Sequence, residues 1–276
     1  MLGIRLLGDI EVARDGERLA LPPSRKTRAL LAYLALAERP LRRDHLCALL
    51  WEVPDDPKGA LRWSLSRLRQ VVDEPGRTRI AATRETVSFE PAGAHVDLAT
   101  AKALLAGGLD AVGTSALAAL ESEFRGEFLE GLELAGCHEF EAWRIAVREE
   151  ARRLHARVLA ALVERLRDAP EMALPYARSA VRLDPADCAP HATLLRLLVE
   201  TGRREAAEEQ YAVALRQLEA HGVPSDPLHL VWRELRRRAP PTSGSLADTV
   251  PASTAPVHTA QTEDPAPASA PAGTLE

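Results

Sequence analysis

The feature that most constrains this chain is an internal repeat in its second half. The repeat has a period of 34 residues and is carried by small and apolar positions: Ala173, Ala177, Ala180 and Val181 recur as Ala207, Tyr211, Ala214 and Leu215. Paired helices with this period are typical of tetratricopeptide repeats. Because two units bury too little surface to stand alone, we expect the helices over about 113–168 to complete the stack.

The rest of the region 98–238 also has helical periodicity. Predicted helices lie near 98–106, 113–122, 138–168, 171–182, 188–200, 203–220 and 227–238. Glycine, proline and aspartate separate them, as at Gly107-Gly108 and Asp184-Pro185. We therefore expect an all-α, tetratricopeptide-like helical domain over 98–238.

The first 97 residues follow a different pattern. Short apolar runs at 4–7, 10–12 and 19–21, with Asp15-Gly16 between the last two, predict strands and a hairpin. Helical spacing then predicts helices over about 24–38, 43–50 and 58–72, and further strands follow at 79–82 and 86–89. The order is a sheet, three helices and a hairpin, so this part is α+β.

The last 38 residues have the composition of a disordered segment. Residues 239–276 contain seven prolines and nine alanines, with no aromatic residue, lysine or arginine. Such a segment buries too little apolar surface to offset its chain entropy. We expect a disordered tail or a linker.

Charge is distributed unevenly along the chain. The net charge is −5, yet residues 25–84 carry 13 Lys and Arg against 7 Asp and Glu. A local basic region is the expected mark of a phosphate-binding surface. Three widely spaced cysteines argue against a disulfide framework and favour a reducing, cytoplasmic location. We see no signal peptide and no apolar run long enough to span a membrane.

The predicted helix over 58–72 has two distinct faces. Leu61, Leu65, Leu68 and Val72 form one apolar stripe, which we expect to be buried. The opposite face carries Arg62, Trp63, Ser66, Arg67 and Gln70. Arginine can pair with guanine and glutamine with adenine in the major groove, so these residues are candidate base contacts. The alternative is the solvated surface of an ordinary helix.

A second set of basic residues lies around this helix. Arg77, Arg79 and Arg84 lie on or beside the predicted hairpin and are candidate contacts to the DNA backbone. The alternative for them is an edge hairpin protected by charge. Arg25 and Lys26 begin the first helix, where they oppose its dipole, which weakly indicates an anionic partner.

The sequence lacks the common signatures of catalysis. The sequence has no phosphate-binding loop, dinucleotide fingerprint or nucleophile elbow. His138-Glu139 begins like a zinc helix, but Ala142 stands where a second histidine is needed. We expect no enzyme, no cofactor and no metal.

Several runs of the sequence carry a family resemblance: Leu7-Gly8-Asp9-Ile10-Glu11-Val12, the run from Arg25 to Leu34, Asp44-His45-Leu46 with Leu49-Leu50-Trp51, the run from Leu61 to Arg69, and the run from Gly202 to Tyr211. In these runs, over about residues 1–235, the chain resembles the SARP-type antibiotic regulatory activators. The resemblance implies an OmpR/PhoB-type winged helix-turn-helix over 1–97 and a bacterial transcriptional activation domain over 98–238. By position, 58–72 would be the recognition helix, 79–89 the wing, and 51–57 a segment that touches polymerase.

These observations predict a DNA-binding transcriptional activator. Its expected partners are double-stranded DNA with direct promoter repeats, RNA polymerase and, for the helical domain, a second copy of the chain; no membrane partner is expected. The alternative is a protein-interaction or sensory module whose winged helix does not read DNA, which the overall acidity slightly favours. A standalone enzyme ranks last.

Overall fold

The computed structural model describes residues 1–51 and 56–238. The predicted tail over 239–276 and most of the predicted polymerase-contacting loop over 51–57 lie outside the described residues. Within the described part, the fold class expected from the sequence is confirmed: a small N-terminal β-rich region precedes a helical, tetratricopeptide-like domain.

Seven strands are present among the described residues. They are β1 (Leu2–Arg5), β2 (Glu11–Arg14), β3 (Glu17–Leu19), β4 (Leu41–Arg42), β5 (Ile80–Ala82), β6 (Thr86–Phe89) and β7 (Ala94–Val96). One sheet has the order β3-β2-β1-β7, with β7 parallel to β1, and the other has the order β4-β6-β5. Asp15 and Gly16 join β2 to β3 with φ values of 51° and 88°. Two positive φ angles are what a type I′ hairpin turn requires, so the predicted hairpin is confirmed.

Ten α-helices lie in the described part of the chain, and they follow the predicted spacing closely. They are α1 (Arg25–Ala35), α2 (Arg43–Leu50), α3 (Pro57–Val72), α4 (Asp97–Leu105), α5 (Thr114–Glu121), α6 (His138–Arg165), α7 (Pro170–Leu183), α8 (Cys188–Glu200), α9 (Arg204–Ala220) and α10 (Asp226–Arg238). Ser24 caps α1 by accepting a hydrogen bond from the Thr27 backbone N–H, as its residue type suggests. β4 and β7 were not predicted, because strands of two and three residues beside helices leave no readable period.

The repeat in the sequence corresponds to stacked helix pairs. Ala173 and Ala177 of α7, and Ala207 and Ala214 of α9, are almost fully buried. Small side chains at these positions let α8 pack closely against both α7 and α9. α10 also packs against α8, so the stack continues to the last described helix.

The segment between α5 and α6 is irregular and attaches the two regions to each other. Leu129 donates its backbone N–H to the Leu6 carbonyl at 2.9 Å, and the Gly8 N–H donates to the Glu127 carbonyl at 2.9 Å. Phe128 is buried in the same core as β1 and α1. The described residues therefore form one compact unit, and the division after residue 97 stays a prediction.

A buried carboxylate strengthens the junction. Asp97, at the start of α4, accepts hydrogen bonds from the backbone N–H groups of Leu6 at 2.7 Å and Leu7 at 2.9 Å. These two groups lie just past β1, so the carboxylate satisfies donors that the sheet leaves unpaired. Burial raises the pKa of Asp97, although the N–H donors oppose the shift.

The described residues include all three cysteines and every helix named above. Cys47 and Cys137 are buried free thiols, and Cys188 is partly exposed. No helix in the described ranges is long and apolar enough to cross a membrane. The same residues contain no group of three or more histidine, cysteine or acidic side chains placed to hold a metal ion.

Candidate nucleic-acid interface

The two faces of α3 are separated as the sequence predicts. Leu61, Leu65, Leu68 and Val72 are at most 2% exposed. The five predicted base-contacting residues all lie on the exposed side: Arg62, Trp63, Ser66, Arg67 and Gln70. The indole of Trp63 is 47% exposed, which is unusual for so large an apolar side chain.

Side chains on the outer face of α3 are partly ordered by one another. The Arg67 guanidinium carbon lies 5.4 Å from the centre of the Trp63 ring, and Arg67 Nη1 donates to Gln70 Oε1 at 3.3 Å. Arg62 Nη2 lies 3.8 Å from Asp56 Oδ2, and both side chains are mostly exposed. Exposed ion pairs contribute at most about 1 kcal/mol, so Arg62 can exchange this partner for another acceptor.

The start of α3 is fixed by a cap that depends on glycine. Asp56 Oδ1 accepts a hydrogen bond from the Gly59 N–H at 2.7 Å, and Pro57 occupies the first turn. A Cβ at position 59 would lie 2.0 Å from Asp56 Oδ2. Any larger residue at this position therefore displaces the cap.

Polar contacts with α1 and with the hairpin help the leucines to hold the body of α3. Ser64 is buried, and its hydroxyl shares a 2.9 Å hydrogen bond with the Thr27 hydroxyl of α1. Arg69 Nε donates to the Ile80 carbonyl of β5 at 3.1 Å. These contacts tie the helix to α1 on one side and to the hairpin on the other. The outer face is thereby held in one orientation.

The hairpin formed by β5 and β6, which we call the wing, carries Arg84 at its exposed tip. The Thr83 hydroxyl accepts hydrogen bonds from the N–H groups of Glu85 at 3.1 Å and Thr86 at 3.0 Å, which closes the turn. The Arg43 guanidinium donates to the Thr83 carbonyl at 3.1 Å. The tip of the wing is thus attached to the start of α2.

The structure adds two basic residues that the sequence interpretation missed. Arg42 lies opposite Thr86 in the pairing of β4 with β6, and it is exposed. Arg43 follows it and holds the wing tip. The adjacent pair of arginines before α2 was the available signal, but only the unpredicted strand β4 brings them next to Arg84.

Arg79 requires a correction. We predicted a contact to the DNA backbone, but its side chain is fully buried, with 0% exposure. Its guanidinium donates to the Glu90, Ala92 and Gly93 carbonyls and to the Glu74 carboxylate at 3.3 Å. Arg79 lies just before β5, and its contacts to residues 90–93 and to Glu74 close the base of the wing.

The other predicted backbone contacts differ in their availability. Arg77 is exposed in the turn after α3, and its guanidinium lies beside Gly93. Lys26 is half-buried on α1. Arg25 donates to the Gly131 carbonyl at 2.6 Å and lies 3.6 Å from Glu133, so acceptors of this chain already occupy it. The position of Arg25 on α1 suggested an anionic partner, and Glu133 of the same chain fills part of that role.

The helical region packs against α1 and α2 of the N-terminal region. Tyr33 of α1 meets Trp143 of α6 edge-on, with ring centres 4.7 Å apart. The Cys137 thiol donates to the Leu50 carbonyl of α2 at 3.5 Å. Arg62 and Arg67 stay exposed beside this interface. The arrangement that would have excluded base contacts, with both arginines covered by the helical half, is absent from the described residues.

Comparisons with known proteins identify the family to which this chain belongs. Residues 90–231, just over half of the chain, match the bacterial transcriptional activator domain. A solved structure of Mycobacterium tuberculosis EmbR in complex with a low-affinity phosphopeptide is similar, with a TM-score of 0.61 and 22% sequence identity. The match covers 87% of this chain and 66% of that chain, just under two thirds of its length. No curated protein sequence matches.

The family match begins seven residues before the predicted boundary at 97 and ends within α10. It therefore spans the connecting segment and the repeats that the period of 34 residues identified. Proteins with this domain are transcription regulators and are typically not enzymes. The chain belongs to the bacterial transcriptional activator domain family.

Proposed function

We propose that the chain is a sequence-specific DNA-binding activator that binds direct repeats in promoters and recruits RNA polymerase. The observation that carries the proposal is the outer face of α3, which exposes five side chains while the opposite face is buried. A helix fixed on one side and polar on the other fits the major groove of DNA, which is about 12 Å wide.

In this proposal α3 is the recognition helix of an OmpR/PhoB-type winged helix. Arg62 and Arg67 would pair with guanine, which offers two acceptors, and Gln70 would pair with adenine. The contact of Arg67 with Trp63 supports this reading, because a guanidinium restrained on an aromatic ring loses less entropy on binding.

The wing would hold the DNA backbone. Arg84 at the tip, with Arg42 and Arg43 beside it, forms a group of cations that suits phosphates. Arg77 and Lys26 would extend this contact. Such contacts fix the position of the protein on the duplex and carry no sequence information. Removing one of them should weaken all sequences alike and lower the salt slope by about one unit.

The helical domain over 98–238 would supply the contacts to polymerase and to a second copy of the chain. Stacked helix pairs present extended surfaces that suit protein partners. The loop over 51–57 is a further proposed polymerase contact. A regulator of this kind works on chromosomal DNA, so we propose a cytoplasmic location.

The decisive experiment is genome-wide selection of DNA fragments bound by the purified full-length chain. Recovery of fragments with a common repeated sequence supports the proposal. A titration with random duplex then measures the salt dependence of nonspecific binding. Absent or salt-insensitive binding in both assays would favour the alternative, a protein-interaction or sensory module. The acidic net charge of the chain is the observation that favours this alternative.

A further inference from the structure

The end of α10 carries a concentration of positive charge that the helical region does not explain. Residues 98–238 contain 19 Lys and Arg against 22 Asp and Glu, so the region is acidic. Elsewhere in it, ion pairs such as Arg152–Asp184 at 2.9 Å are common. Three arginines within five residues of α10 have no carboxylate within 4.0 Å among residues 1–51 and 56–238: Arg233, Arg236 and Arg237.

The three arginines of α10 line the same cleft on the protein surface. Their spacing of three and four residues puts them on one face of α10, and all three are exposed. Together they line a cleft of about 490 Å³ to which no other described residue contributes. Leu228, Trp232 and Leu235 are buried on the opposite face of α10. Because that face is packed against the core, α10 cannot rotate about its axis, and the three arginines stay exposed to solvent.

Helix electrostatics account for only part of the cluster. Cations in the last turn are favoured by the helix dipole, which covers Arg236 and Arg237. Arg233 lies a turn earlier, where this effect has largely faded. Like charges at these spacings repel each other. An external anion would offset that repulsion.

The composition of the cleft selects the class of anion. It is lined by the stems and guanidinium groups of three arginines and by no apolar residue, whereas the centre of a protein–protein interface is usually built from apolar residues. Guanidinium groups match the geometry of phosphate, which they bind through two hydrogen bonds. Phosphates that recur along a polymer can occupy all three arginines at once.

We propose that this arginine cluster of α10 binds the phosphodiester backbone of duplex DNA beside the sequence read by α3. This inference rests on the proposed function and adds a second DNA contact, made by the helical domain. It assigns no sequence reading to α10, because backbone contacts carry none.

The test measures the affinity of the full-length chain for the selected site at several salt concentrations. One duplex carries the site alone, and the other extends it by about two helical turns (~20 base pairs) on each side. The variant replaces all three residues: Arg233→Gln, Arg236→Gln and Arg237→Gln. On the extended duplex we expect the salt slope to fall by about two to three units. Discrimination between the site and a mutated site should stay unchanged.

The control removes the same charge elsewhere. Arg157, Arg178 and Arg216 are also exposed and have no carboxylate partner among the described residues. Their replacement with glutamine should leave the slope unchanged. An equal effect of both triple variants would reduce the result to net charge and overturn the proposal, as would an unchanged slope in the α10 variant.

The same data separate this inference from the one on which it rests. If the wild-type chain binds the extended duplex and the α10 variant keeps the full slope, only the α10 contact is wrong. If the wild-type chain binds neither duplex, both proposals are wrong. Circular dichroism at each salt concentration verifies that the variants are folded.

Discussion

Replacement of Arg79 with alanine should unfold the base of the wing rather than remove a DNA contact. The side chain is fully buried and donates to three backbone carbonyls and to Glu74. Glu74 also lies 3.6 Å from Arg14 Nε, so the loss reaches a second arginine. The matched variant is Arg84→Ala, which removes the same group from the exposed tip of the same hairpin.

The size of the effect follows from burial. Removing one partner of a buried ion pair typically costs about 3–5 kcal/mol, because the remaining charge and carbonyls lose their donors. For a chain of this size, each kcal/mol lowers the midpoint of thermal unfolding by about 2–4 °C. We therefore expect Arg79→Ala to lower the midpoint by roughly 6–20 °C. Arg84→Ala should change the free energy of unfolding by less than about 0.5 kcal/mol.

Thermal unfolding followed by circular dichroism, with DNA binding measured well below each midpoint, distinguishes the two roles. We expect Arg79→Ala to lose stability and to retain the salt slope while it is folded. Arg84→Ala should keep its stability and lose about one unit of slope. An Arg79→Ala protein as stable as the wild type, with the binding defect of Arg84→Ala, would refute the structural role of Arg79.

Three further predictions concern the support of α3 and the response to pH. Gly59→Ala should cost about 0.5–2 kcal/mol, because its Cβ displaces the Asp56 cap; an unchanged unfolding midpoint would contradict this. Thr27→Val should cost about 1–3 kcal/mol in urea unfolding by leaving the buried Ser64 hydroxyl unpaired, and adding Ser64→Ala should recover part of the loss. Burial lowers the pKa of His155 to about 4, below its ordinary 6.5, so the unfolded chain binds the proton first and stability should fall between about pH 6.5 and 4. His155→Phe should flatten that part of the stability profile, whereas an unchanged slope would show that other groups cause it.

The elements of the fold were predictable where a strong period is present. The 34-residue repeat places Ala173 and Ala207 in equivalent helices, and both are fully buried. The leucine stripe of α3 likewise fixed which face is exposed, since burial of Leu61 and Leu68 leaves Arg62 and Arg67 outside. Local periodicity is sufficient for such faces because neighbouring residues of one helix determine them.

Long-range contacts were beyond the sequence. The burial of Arg79 depends on the carbonyls of residues 90–93, and that of Asp97 on N–H groups 90 and 91 residues earlier. Neither partner leaves a periodic signal, so charge alone suggested exposure for Arg79. The position of Arg42 beside the wing has the same origin, because a two-residue strand creates it.

The most direct test of the account is the affinity of the Arg62→Ala/Arg67→Ala double variant for the selected promoter fragment. The control is Arg178→Ala/Arg216→Ala, which removes two exposed arginines of the helical region. Each base-contacting arginine should contribute about 1–3 kcal/mol on the true site, and its loss should relax the preference for that site over a mutated one. The account predicts this loss in the α3 variant with the control unchanged. Unaltered affinity and site preference in the folded double variant would contradict the claim that α3 reads DNA.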